Sequence, residues 1–143
     1  MKNYFDLIKK LAPLDRCHCG PEMDQAYRLL AKYYDSTRLI KYPSCKKINH
    51  WILPPYWSCK KALLKDSNGK IIADKSRNNL EVFSYAPSFK GEIGLQELQK
   101  HLFSDPERPE AIIFHFRNQY RHWAPEWGFS IPHSKRLKLK DQK

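Results

Sequence analysis

The chain has 143 residues, 26 Lys and Arg against 15 Asp and Glu, a net charge of +11 and a pI near 9.6. Its 41% hydrophobic and 13% aromatic content excludes an intrinsically disordered chain, in which aromatic and branched residues are scarce. No apolar run approaches the ~20 residues of a membrane span, and the start Met1-Lys2-Asn3-Tyr4-Phe5-Asp6 lacks the apolar stretch and small-residue site of a secretory signal. The expected setting is therefore cytoplasmic, where Cys17, Cys19, Cys45 and Cys59 would not form a disulfide framework.

Residues 3–12 predict a short helix, because Tyr4, Leu7, Ile8 and Leu11 share one face at helical spacing and Pro13 ends it. Residues 21–34 predict a second. Pro21 suits the first helical position, and Glu22 and Asp24 suit its positive end. Met23, Ala26, Tyr27, Leu30, Ala31 and Tyr34 form its apolar stripe.

From Ser36 the pattern becomes strand-like. Residues 38–42, 48–53, 58–65, 70–74 and 81–85 read as short strands. Asp66-Ser67-Asn68-Gly69 reads as a hairpin turn, with Asn-Gly suited to positive φ. Trp51 alternates with Ile48 and Leu53 in this reading and is expected in the core. Residues 94–103 predict a helix, 104–109 a loop and 111–116 a buried strand. The expected fold class is α+β: two N-terminal helices and a small, mainly antiparallel β-rich unit.

Cys17-His18-Cys19 is the first metal suspect, with Cys45, Cys59, His50 or His122 available to complete a set. The spacing argues against zinc, since structural sites favour two residues between paired cysteines and no second pair exists. Pairing any Cys with any of the six His for nucleophilic catalysis carries little information. No phosphate-cradling or H-E-x-x-H motif occurs. Arg117, Arg121 and His122 interleave with Tyr120, Trp123 and Trp127, a composition that stacks bases and neutralises phosphates. The remaining lysines are scattered, so a polyanion-binding module, nucleic acid included, is the alternative reading and not the first.

Taken in order, several segments resemble one family. Leu11-Ala12-Pro13-Leu14-Asp15-Arg16 leads to Gly20 as in its "PLxRxxxG" opening. Tyr42-Pro43-Ser44 and His50-Trp51-Ile52-Leu53-Pro54-Pro55-Tyr56-Trp57 are similar to its "PSG…DWxVPxxW" stretch. Lys65 to Asp74 follows its "D-x-x-G-x-x-I-x-D" hairpin. Residues 79–85, 95–98, 101–103 and 109–112 continue in register, and Tyr120 through Trp127-Gly128-Phe129 resembles "SYY…WGF". The family is that of aminopeptidase-like zinc peptidases, also labelled polysaccharide biosynthesis proteins with an aminopeptidase-like domain. The chain departs from it where "RSITG" reads Arg16-Cys17-His18-Cys19-Gly20 and "SYY" reads Asn118-Gln119-Tyr120.

The resemblance implies a single α+β unit over 1–143. Residues 1–35 would be a helical lead-in, 36–108 a β-rich insert of unknown function, and 109–143 the start of a truncated catalytic-type domain with a basic tail. In the family the zinc ligands follow the "WGF" segment in an "HxxHPSxxNDNxSG" block, which this chain does not contain. Catalytic and metal residues are accordingly expected to be none, and the chain itself without cofactor, zinc belonging to the full-length family. The implied function is a non-catalytic accessory domain shaping the substrate cleft of an aminopeptidase-like zinc hydrolase. Its implied partners are a downstream catalytic polypeptide and, through the parent enzyme, a peptide-like or amino-acyl substrate, with no membrane. Both segments flanking that cleft would bring Arg16, Arg117, Tyr120 and Trp127 onto one concave, substrate- or partner-binding surface.

Overall fold

A computed structural model of the chain describes residues 4–16, 19–34, 36–116, 121 and 123–139. The chain groups into two compact units, Met1–Ser58 and Cys59–Lys143. It is α+β: short helices accompany small sheets, two of them antiparallel hairpins. Among the described residues no helix is long and apolar enough to cross a membrane.

In the first unit, α1 (Tyr4–Leu11) and α2 (Pro21–Ala31) pack against each other. Asp6 lies in the first turn of α1 and Lys9 and Lys10 in its last, each charge complementing the helix dipole. Leu7 is buried there, while Tyr4 and Ile8 of the expected apolar face stay exposed. Helix α2 begins with Pro21, as the sequence suggested, and buries Ala26. The loop between the helices is tied down twice. The Asp15 N–H donates to Glu22 Oε2 at 2.5 Å, and the Trp57 N–H donates to the Cys19 carbonyl at 2.9 Å.

Residues 48–53 are not one strand. Strands β1 (Lys47–Ile48) and β2 (Trp51–Ile52) form an antiparallel hairpin around Asn49-His50, and Asn49 takes φ 54°. Asn tolerates that left-handed conformation better than most residues. The alternating pattern thus folds back on itself at its midpoint. Trp51 ends up 77% exposed, which corrects the expectation that it fills the core. Residues 38–42 run without regular structure instead of forming a strand.

In the second unit, β3 (Leu63–Lys65) and β4 (Ile71–Asp74) form the hairpin that Asn68-Gly69 announced, with a bulge at Leu64/Lys65. Asp66 Oδ1 accepts the N–H groups of Asn68 at 3.0 Å and Lys70 at 2.9 Å, and Gly69 takes φ 81°. A 3₁₀ turn, Asn79–Glu81, follows. It is capped by Asn78, whose Oδ1 accepts from Leu80 N at 3.0 Å. Residues 81–85 do not continue as a strand; only Val82 bridges to Phe129, and Tyr85 turns the chain at φ 61°.

Helix α3 (Leu95–Leu98) tightens into a 3₁₀ turn, Gln99–His101, and then into β5 (Leu102–Phe103). Strand β5 pairs in parallel with β6 (Phe129–Ser130), Leu102 opposite Phe129. Residues 111–116 form no strand, so the partner of β5 comes from a later segment than the apolar run at 111–116 suggested. Ile72, Ala73, Leu98, Leu102, Phe129 and Ile131 make the core. The short α4 (His133–Arg136) is fastened to it by Arg136, whose Nε donates to Gln99 Oε1 at 2.7 Å and Nη2 to Gln99 O at 2.9 Å. Lys135 Nζ donates to the Ile72 carbonyl.

Candidate functional site

In the second unit a recess of about 530 Å³ opens beside β5. Its inner wall is aromatic. The Phe83 N–H donates to the Gly128 carbonyl at 3.2 Å, which sets Phe83 against β6. The His115 ring stacks on Phe83 with centroids 3.6 Å apart and an interplanar angle of 7°. Phe103, carried by β5, meets the His115 ring edge-on at 4.9 Å. His115 Nε2 lies 3.6 Å from Glu126 Oε1; the His115 side chain is 9% exposed and that of Glu126 36%. Lys100, Leu102, Phe116 and Arg121 complete the lining. Lys100 also pairs with Glu97 at 2.5 Å. That hydrogen bond, with the charges of Lys100 and His101 behind it, holds the Glu97 carboxyl below its usual range.

The recess thus has an apolar wall, one carboxylate partly open to solvent and two cationic side chains. A neutral or charged imidazole beside a carboxylate can exchange a proton, but this imidazole is pinned between aromatic rings. The arrangement is suited to holding a ligand.

Trp127 is half-buried against the core of the second unit. Its ring is stacked on both faces, by His101 at 3.9 Å and by Phe89 at 4.3 Å. His101 Nδ1 is also 2.9 Å from the Trp127 carbonyl oxygen. Arg16 lies exposed in the loop between α1 and α2 of the first unit. Arg117 and Tyr120 lie outside the described residues. Arg121 and Trp123 of the same basic-aromatic run are exposed.

The first unit has its own groove, of about 600 Å³, lined by Tyr27, Tyr42, Tyr56, Asp24, Arg28 and Arg38 among others. The Tyr56 hydroxyl donates to Asp24 Oδ2 at 3.4 Å. Partial desolvation in the groove, and then the Asp24 carboxylate beside it, push the Tyr56 phenol above its ordinary pKa.

Among the described residues no three His, Cys, Asp or Glu side chains come together as ligands. Cys45 and His50, two of the suspected donors, are exposed. Cys17, His18 and His122 lie outside the described residues.

Of the residues lining the recess, sequence patterning singled out only Arg121. His115 sat within an apolar run read as a buried strand, and Glu126 between two tryptophans. The one available signal was a histidine flanked by two phenylalanines, Phe114 and Phe116.

Comparison with known proteins gives the chain its relatives. A curated protein of Clostridium acetobutylicum, named "Putative polysaccharide biosynthesis protein with aminopeptidase-like domain", is 27% identical over 131 residues, which make up 92% of this chain and 29% of that protein. A crystal structure of a "putative peptidase" from Clostridium acetobutylicum superposes with a TM-score of 0.83 at 25% identity, over 96% of this chain and 32% of that chain. The chain therefore spans about a third of the length of these relatives, and the resemblance read from its motifs to an aminopeptidase-like protein holds along nearly all of it. The family model described as "Domain of unknown function (DUF2172)" matches residues 56–143, more than half of the chain, and the protein belongs to that family.

Proposed function

We propose that this chain serves as a non-catalytic accessory domain of an aminopeptidase-like zinc hydrolase, forming part of the surface that receives the substrate. The observation that carries this reading is the extent of the match. The fold is shared with the peptidase crystal structure over 96% of this chain, yet over only 32% of that one. Most of the machinery of such a protein then lies in sequence that has no counterpart here. A zinc hydrolase needs three protein ligands and one open position for water. In this reading those ligands belong to the remaining two-thirds, and the recess and groove supply walls, charge and apolar contact. Arg16 in the first unit and Arg117, Tyr120 and Trp127 in the second are the proposed binding residues, each considered within its own unit, with Trp127 acting through its stack on His101 and Phe89.

Equilibrium dialysis of the purified chain against zinc, followed by metal analysis, tests the reading. The expected content is far below one zinc per chain. One zinc per chain, lost on Cys17→Ser, would place a metal centre inside it and overturn the proposal.

A further inference from the structure

The groove of the first unit is built from three stretches of chain, and each brings a charge or a ring. Helix α2 contributes Asp24, Tyr27 and Arg28, which share a face at helical spacing. The irregular segment 38–42 contributes Arg38, Lys41 and Tyr42, and the stretch after β2 contributes Tyr56. All three tyrosines are at least half exposed. Lys46 Nζ stands over the Tyr42 ring, 5.9 Å from its centroid, which leaves Tyr27 and Tyr56 as the open rings. Tyr56 is held in place at two points: its hydroxyl donates to Asp24 Oδ2, and the N–H of the next residue, Trp57, donates to the Cys19 carbonyl. Asp24 is the only carboxylate among the described lining residues, and it is already engaged by that phenol. Arg28, Arg38 and Lys41 are exposed, and among the described residues none of them forms an ion pair. The groove therefore presents a cationic, ring-bearing surface with its anion already taken up. Its volume of about 600 Å³ falls within the ordinary range of small-molecule sites.

We infer that this groove binds a nucleoside phosphate, as a free mononucleotide. The base lies on the open rings of Tyr27 and Tyr56, because every base has a π-face that stacks on an aromatic side chain. The phosphate is met by Lys41 and by Arg28 and Arg38, whose guanidinium forks match phosphate oxygens with paired hydrogen bonds. An uncharged aromatic ligand would leave the cations without use, and a bare phosphate would leave the rings without use. A nucleic-acid strand calls for rings and cations repeated along a track, whereas here they are gathered in a space of small-molecule size. The site requires nothing of the accessory-domain reading, which stands or falls on hydrolysis and metal content.

The test is a titration of the 143-residue chain with AMP, adenosine, ribose 5-phosphate and an oligodeoxyadenylate, followed by NMR and calorimetry. AMP should shift the resonances of Tyr27 and Tyr56. Adenosine lacks the phosphate and ribose 5-phosphate lacks the base, so each is expected to bind about tenfold or more weakly than AMP. Added salt should weaken AMP and leave adenosine unchanged. Tyr27→Ala should weaken AMP and adenosine while sparing ribose 5-phosphate, and Arg38→Gln should weaken AMP and ribose 5-phosphate while sparing adenosine. No saturable response at millimolar AMP, equal affinity for AMP and ribose 5-phosphate, or shifts confined to residues outside the groove would each overturn the inference. Oligodeoxyadenylate binding about a hundredfold or more tighter than AMP would make the groove a strand site and overturn it as well. The comparison among ligands needs no variant, so a misfolded mutant does not remove the test.

Discussion

Shortening Ile131 to alanine is expected to cost about 2–5 kcal/mol, a large share of the ~5–15 kcal/mol that holds a domain together. Ile131 is 0% exposed and belongs to the core with Leu102 and Phe129. Its N–H donates to the Phe103 carbonyl at 3.0 Å, extending the short β5–β6 pairing by one bond. The side chain therefore supports the strand that carries Phe103 into the recess. Removing it leaves a void that close-packed neighbours fill only in part, which adds a cavity penalty to the lost transfer energy. Urea unfolding should show a lowered midpoint with an unchanged slope. A loss under about 1 kcal/mol would mean that the core around β5 and β6 is packed otherwise.

Gly128→Ala should be as damaging, for the opposite reason. A Cβ at Gly128 would sit 2.5 Å from the His101 carbonyl oxygen and 2.5 and 2.8 Å from two Phe83 ring atoms. The carbonyl is backbone and cannot turn aside. Phe83 is held by its stack on His115 and by its N–H bond to Gly128 itself. Something must move, and the element free to do so is β6, whose register with β5 is only two residue pairs long. Overpacking of this kind costs about 1–3 kcal/mol and sometimes more; the upper end is expected here. Gly94→Ala is the control, since a Cβ there meets nothing within 4 Å. Equal melting temperatures for the Gly128 and Gly94 variants would contradict the packing described.

The elements that sequence alone located are those with a local cause. Pro21 with acidic residues after it starts α2, and Asn68-Gly69 closes the β3–β4 hairpin by its own backbone preference. What was not legible depends on partners far along the chain. Strands β5 and β6 are two residues each, too short to show a period, and they pair across more than twenty intervening residues. The run at 111–116 has the composition of a buried strand, but β5 pairs with β6 and 111–116 forms no strand. At 48–53 the alternation was real, yet a two-residue turn inside it reversed the chain and sent Trp51 outward. The recess was hidden for the same reason. His115 stacks on Phe83, a residue 32 positions earlier, and no spacing rule connects them.

In the proposed function the chain carries no hydrolytic centre of its own and acts beside one. Release of product from a panel of aminoacyl-p-nitroanilides, measured with the purified chain at saturating zinc, tests it most directly. The account predicts a rate indistinguishable from buffer with zinc alone. Turnover that copurifies with the chain, stops on chelation and returns with zinc would contradict it.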